Sequence, residues 1–257
     1  MIITIRASDV AACIGMNPYK SVEEMLAVYV AKCSGDKLDH SFDISKKDLQ
    51  TLIQKTNYDK KELDECKSEE DYNKLHQQII KKVASKSVWA NTNEESQVIE
   101  NKIKQDLPDV CKKCIQTEVN TKRGIVKEKR NLNNYENFHK KKVGSRNSKL
   151  YLLIIYDEDD LIVRISGRVD GIEGEGDDRV LIETKNRRNK LFGEVRKYEG
   201  VQMTTYMKMT GITTSKLLEY YNDEEGVIDY DYDEEFWEEI ESKLIQFKNK
   251  IIKKMFF

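Results

Sequence analysis

The 257-residue sequence predicts an α/β (α+β) fold, with a mixed central sheet flanked by helices and a helical insertion over 37–85. Three observations carry that expectation. Strand-like segments cluster between Tyr151 and Lys185. A further strand over 216–221 follows only after a helical stretch, and helical patterns stand before and after the whole. The length suffices for one good core with a helical appendage, so 1–257 is read as a single domain.

Taken in order, Arg6-Ala7-Ser8-Asp9 leads into a short helix, Val10-Ala11-Ala12-Cys13-Ile14-Gly15, with Gly15 as its stop. Asn17-Pro18-Tyr19 is a turn. Ser21-Val22-Glu23-Glu24 is a capping box, because Ser21 can accept from a backbone amide while Glu24 reaches back. That helix runs to Ser34-Gly35. Over 37–85 the chain is polar, with Leu49, Leu52 and Ile53, then Leu75, Ile79, Ile80 and Val83, at helical spacings. The next helix begins at Thr92 or Asn93 and ends near Pro108. The stretch 115–127 alternates loosely and reads as one or two strands. Tyr151-Leu152-Leu153-Ile154-Ile155-Tyr156, a turn over 157–160 and Leu161-Ile162-Val163-Arg164-Ile165-Ser166 form a hairpin. A polar turn over 173–178 precedes the strand Arg179-Val180-Leu181-Ile182-Glu183-Thr184-Lys185. A helix over 194–210 stops at Gly211, and an amphipathic helix over 236–254 closes the chain.

Composition narrows the class. The residues are 39% hydrophobic and 35% charged, and the apolar share comes from Ile, Leu, Val, Tyr and Phe, which favours a folded body over disorder. No run approaches a membrane span, and Met1-Ile2-Ile3-Thr4 is too short for a signal-peptide core, so a soluble intracellular protein is expected. Five cysteines without a secretory signal suggest reduced thiols, and Cys111-Lys112-Lys113-Cys114 lacks the second pair of a zinc site. The net charge of −2 hides an uneven distribution. Over 120–150, Lys and Arg dominate and only Glu128 and Glu136 oppose them, whereas 219–241 has neither Lys nor Arg. The first segment suits a phosphate backbone and the second repels one. Trp89 and Trp237 are expected as packing anchors. Tyr135, Phe138 and His139 read as a loop packed on its own domain, with base stacking as the alternative.

The chemistry concentrates in two strands. Residues i and i+2 of a strand share a face, so Glu183 and Lys185 point one way, at the end of the apolar run Val180-Leu181-Ile182. Asp170 lies across a short turn and comes beside Glu183. Two adjacent carboxylates repel, and a hard divalent cation resolves the repulsion, using these oxygens and the Thr184 carbonyl. Such a cation lowers the pKa of a bound water and offsets charge on a phosphodiester in transition, while Lys185 orients water and phosphate. The opposing reading is a surface strand with a cross-strand ion pair, which the buried approach to Glu183 disfavours.

Gly167-Arg168-Val169-Asp170-Gly171-Ile172, Ile182-Glu183-Thr184-Lys185 and Gln202-Met203-Thr204-Thr205-Tyr206-Met207-Lys208-Met209-Thr210-Gly211 together resemble the PD-(D/E)XK nucleases, more closely their YqaJ or lambda-type viral exonuclease branch. The N-terminal segment from Arg6 to Tyr19 and the segment Asn91-Thr92-Asn93-Glu94-Glu95 are similar to two further blocks of that branch. The resemblance spans about half the chain and implies a restriction-endonuclease-like core. It implies Asp170, Glu183 and Glu95 as metal ligands (Glu94 if the register is one residue off), Lys185 as catalytic lysine, and Gln202 as a support of the site. Ser8 matches a serine near a terminal 5′-phosphate, with Arg6 and Arg168 beside it as DNA contacts. Tyr206 is either a DNA contact or core. Arg187 and Arg188 are phosphate contacts or a solvated turn. Val169 stands where the signature has proline, Asn91 stands where the family has glycine, and 37–85 has no counterpart. The implied activity is Mg²⁺-dependent digestion of linear double-stranded DNA from free ends, 5′ to 3′, with Mn²⁺ able to substitute. The setting is viral or phage recombination, repair or replication, with a single-strand annealing protein as partner, no membrane, and a trimer known in the branch. The alternatives are an endonuclease on the same core and a non-catalytic DNA-binding protein.

Overall fold

The computed structural model describes residues 1–35, 45–158 and 160–256. The chain opens with β1 (Ile2–Arg6), a 3-10 turn (Ala7–Asp9), α1 (Val10–Cys13) and α2 (Val22–Ser34). A helical stretch follows: α3 (Lys46–Thr56), α4 (Lys61–Asp64), α5 (Glu69–Val88), α6 (Asn93–Lys104) and α7 (Asp109–His139). Then come β2 (Val143–Gly144), β3 (Tyr151–Glu158), β4 (Leu161–Gly167), β5 (Gly171–Glu173) and β6 (Val180–Asn186). The chain continues through α8 (Lys197–Thr210), β7 (Thr214–Tyr221), β8 (Glu224–Asp231) and α9 (Glu234–Phe256).

The mixed α/β class holds, with the strands divided into two sheets rather than one. One sheet has the order β1-β4-β3 and the other β2-β5-β6-β7-β8. Each contains one parallel pair, β1 with β4 and β6 with β7, among antiparallel neighbours. The local signals behave as their chemistry requires. Ser21 accepts from the Glu24 amide at 3.1 Å and Glu24 accepts from the Ser21 amide at 2.7 Å. Gly35 then ends α2 in the left-handed region, at φ +75°. Thr92 caps α6, and Pro108 stands immediately before α7.

Three expectations about elements need correction. The stretch 115–127 is helix, not strand: it lies within the 31-residue α7. Its buried residues Cys111, Cys114, Ile115 and Val119 recur at intervals of one helical turn, a pattern that loose alternation in the polar residues between them obscures. That face carries both cysteines into the apolar cluster with Leu49, Leu52, Leu75 and Ile79, where the thiols are free. Tyr135, Phe138 and His139 accordingly sit on the last turns of α7, not in a loop. Four strands also went unforeseen: the short β2 and β5, the latter taking Glu173 out of the expected turn, and β1 and β8. β1 is short and finds its parallel partner 160 residues away, Ile2 opposite Ile162. β8 lies in the acidic segment, where Val227, Ile228 and Tyr230 stand among its charges, and joins β7 through the tight turn at Asn222, which adopts φ +54°. Finally, Trp237 is buried as expected but Trp89 is 68% exposed. Of the insertion over 37–85, residues 37–44 lie outside the described part.

The core forms in three places. The main cluster joins β1 and β4 to α1, α2, α8 and α9, with Trp237, Tyr29 and Phe247 fully enclosed. A second joins α3 and α5 to the first half of α7, and a third joins the second half of α7 to Ile182 of β6 and Leu218 of β7. The long helix α7 thus couples the helical stretch to the strand that carries Glu183. Among the described residues no helix is long and apolar enough to cross a membrane.

Gly167, at the end of β4, shows how tightly this region is built. A β-carbon there would stand 2.6 Å from the Tyr206 ring and 2.9 Å from the Ala7 side chain. Gly167→Ala is therefore expected to lower the free energy of unfolding by about 1–3 kcal/mol through overpacking, read as a shift in the urea midpoint. An unchanged midpoint would mean that Tyr206 has room to withdraw.

Candidate active site

β6 is gripped by β5 on one side and β7 on the other, which fixes the direction of its side chains. Gly171 pairs with Ile182, so Asp170, one position earlier, arrives beside Glu183 and Thr184. Asp170 accepts from the Thr184 amide at 2.8 Å and from the Thr184 hydroxyl at 3.1 Å. Across the strand, Lys185 Nζ donates to Glu183 Oε1 at 2.6 Å and to Gln202 Oε1 at 3.2 Å. Gln202 Nε2 donates to the same Glu183 oxygen at 2.9 Å. Lys185, Glu183 and Gln202 therefore form a closed triangle between β6 and α8. The Glu183 side chain is 3% exposed and that of Lys185 27%.

The electrostatics of this cluster are strained. Burial, and then the neighbouring charge of Asp170, hold the Glu183 carboxyl well above the usual range. Burial and then Glu128 do the same for Asp170. Burial works against the Lys185 charge, but Glu183 and Asp170 outweigh it and raise its pKa. The other oxygen of Glu183, Oε2, is buried and has no hydrogen-bond partner. A buried carboxylate oxygen left without a donor costs free energy unless something positive meets it.

Glu128 is the residue that the sequence reading missed. It lies on α7, half-buried, and donation from Asn147 steadies it. Burial and then the charge of Glu183 raise its carboxyl. After burial, the charge of Glu128 is the next cause of the raised Asp170 carboxyl, a part the resemblance implied for Glu95. Glu95 is exposed and instead accepts from the Asn91 amide at 2.9 Å. Glu94 is also exposed and accepts from Tyr221 and Asn222. The signal for Glu128 was present: a rare acid in a basic stretch. It became usable only once that stretch was a helix lying on β6.

The remaining expected residues divide by location. Arg6, Ser8 and Arg168 are exposed, and the β1–β4 pairing, Arg6 opposite Ser166, keeps all three at the end of the sheet that leads to Asp170. Arg6 is already paired with buried Asp9 at 2.7 Å. Tyr206 is buried in the main core, and burial raises its phenol, so it packs beneath the site rather than on a nucleic-acid surface. Arg187 corrects the expectation of a phosphate contact or solvated turn. Its side chain is 6% exposed, bridges Glu199 and, at 2.8 Å, Glu219, and stacks on Phe192. Arg188 pairs with buried Glu100 at 2.9 Å and donates to Asn120.

As the side chains stand, among the described residues no group of three His, Cys, Asp or Glu is gathered to hold a metal ion. The donor chemistry nevertheless fits a hard divalent cation. It consists of oxygens alone, three carboxyls repel one another, and one buried oxygen is unpartnered.

A sequence profile of the PD-(D/E)XK nuclease superfamily matches residues 47–256, most of the chain. The protein belongs to the PD-(D/E)XK nuclease superfamily. Asp170, Glu183 and Lys185 all fall within the matched span of this nuclease. No curated protein matches it. Among solved structures, it is similar to an alkaline exonuclease from Laribacter hongkongensis at 18% identity, over 68% of this chain and 88% of that one, with a TM-score of 0.43. It is also similar to a phage-related exonuclease from Haemophilus somnus 129PT at 11% identity, over 98% of this chain and 96% of that one, with a TM-score of 0.45.

Proposed function

We propose that this nuclease hydrolyses linear double-stranded DNA from its ends, 5′ to 3′, with Mg²⁺ as its working ion and Mn²⁺ as a substitute. The hydrolytic part of the reading is supported above all by the buried, unpartnered Oε2 of Glu183 beside Asp170 and Lys185. The end-dependent part rests on the resemblance of the five sequence blocks, Ser8 included, to the YqaJ or lambda-type branch.

Asp170, Glu183 and Glu128 supply the carboxylate oxygens for the ion. When bound, a divalent cation makes a coordinated water more acidic and offsets charge developing on the phosphodiester. Lys185 donates to a phosphate oxygen from a side chain already held by Gln202, so little ordering remains to be done at the moment of reaction. Gln202 keeps Lys185 and Glu183 in register through its two ends. Ser8, Arg6 and Arg168 offer exposed donors to a terminal phosphate. The product, a duplex with an exposed single strand, suits recombination or repair with an annealing partner.

Glu128→Gln is expected to weaken Mg²⁺ binding about tenfold or more, measured by calorimetry on DNA-free protein. Unchanged affinity would exclude Glu128 from the ion's surroundings. The activity itself is tested on linear duplex DNA with and without a 5′-phosphate, beside closed circular DNA, in Mg²⁺ and in EDTA. Loss of linear DNA alone, dependent on Mg²⁺ and faster with the phosphate, is the expected result. Cutting of the closed circle would make the protein an endonuclease. Binding without cleavage in any condition would make it a DNA-binding protein on this fold.

A further inference from the structure

At the end of β6 lies a groove lined by none of Asp170, Glu183, Lys185, Gln202 and Glu128. Two cavities, of about 350 Å³ and 610 Å³, share Tyr19, Phe192 and Tyr198 in their walls. The smaller begins at Asn186, the residue after Lys185. The larger opens past Arg196, Lys197 and Lys243. Tyr198 stands one helical turn before Gln202 on α8, so the same helix lines the groove and supports the site.

The aromatic groups in this groove are arranged, not merely present. Tyr19 is 75% exposed, yet its backbone is pinned in the Asn17-Pro18 turn, where Asn17 Oδ1 accepts from the amides of Tyr19 and Lys20 at 2.8 and 3.2 Å. Its ring meets that of Tyr198 edge-on, with centroids 5.7 Å apart and planes at 81°. Phe192 is held by the guanidinium groups of Arg187 and Arg196, each 4.3 Å from its ring. A large aromatic ring held rigid while three-quarters exposed is a platform awaiting a partner. The rim is cationic: Arg196, Lys197 and Lys243 stand at and near the positive end of α8, with Glu194 and Glu239 as the opposing acids. Both acids belong to exposed ion pairs, which hold weakly and exchange readily for a phosphate.

We propose that this groove binds single-stranded DNA, with bases stacked on Tyr19 and Tyr198 and the backbone along Arg196, Lys197 and Lys243. Every base has an aromatic face, so such a groove takes a strand without regard to sequence. The proposal rests on the nuclease reading for the choice of DNA as ligand.

The test measures binding of a short 3′-labelled oligothymidylate, and of an abasic strand of equal length, by fluorescence anisotropy at low salt in EDTA. Tyr19→Ala is expected to weaken oligothymidylate binding about tenfold, while Tyr19→Phe stays within about twofold of wild type. The abasic strand should bind wild type and Tyr19→Ala alike. Because Tyr19 is exposed, its melting temperature should not change, which separates lost stacking from lost fold. Equal affinity of Tyr19→Ala and wild type for oligothymidylate, or no preference of wild type for bases over abasic strand, would overturn the proposal. Either failure alongside intact Mg²⁺-dependent cleavage removes the groove and leaves the nuclease. Base-dependent binding lost in Tyr19→Ala, in a protein that cleaves nothing, supports the groove and removes the nuclease.

Discussion

Lys185→Ala is expected to slow DNA cleavage by about 10²–10³-fold in single-turnover digestion of linear duplex with saturating Mg²⁺. The amine is held between Glu183 and Gln202 at 2.6 and 3.2 Å, so its donors are already aimed when substrate arrives. Among the described residues no other lysine or arginine is bonded to this triangle: Arg187, two residues later, is committed to Glu199 and Glu219. The variant should still bind DNA, because the cations of α7 and of the groove are untouched. It should also hold protons more tightly at Glu183, since the nearest positive charge has gone from a carboxyl that burial already raises. Cleavage within tenfold of wild type would mean that the reacting phosphate lies elsewhere.

The largest expected effect on stability belongs to Arg187→Ala. Arg187 is a buried cation between two buried carboxylates, and Glu219 additionally accepts from the amides of Phe192 and Gly193 at 3.0 and 2.6 Å. These contacts tie the end of β6, the loop that follows it and the first turn of α8 into one unit. Removing one member of a buried ion pair leaves the remaining charge unpaired and costs about 3–5 kcal/mol, a large part of a typical 5–15 kcal/mol of total stability. Urea unfolding should show this as a lower midpoint. The triple variant Arg187→Met, Glu199→Gln, Glu219→Gln should recover much of the loss by removing the stranded charges. A loss below about 1 kcal/mol in Arg187→Ala would mean that water reaches the triad. This guanidinium is not available to a phosphate, so a loss of DNA affinity in the folded variant would come through Phe192, whose ring it holds.

Much of this site was legible from spacing. Glu183 and Lys185 had to share a face because a strand repeats every two residues, and Asp170 had to come near because the intervening turn is short. The Ser21 cap, the Gly211 stop and the closing amphipathic helix were equally local. Each depends on chemistry contained within a few consecutive residues.

Glu128, Arg187 and β1 were not legible, for one shared reason. Their roles depend on partners far along the chain, and single-sequence periodicity carries no information about which distant faces meet. A basic stretch containing two acids reads as a solvated surface until α7 is laid on β6. An arginine two residues past Lys185 reads as a phosphate contact or a solvated turn until Glu199 and Glu219 close around it. The sequence by itself determined the chemical types and local geometry of Asp170, Glu183 and Lys185, and the family resemblance added Gln202. Only the tertiary structure decided which acid joins them and which cation is withdrawn into the core, because desolvation and pairing of charge arise when separate elements pack, not along the chain.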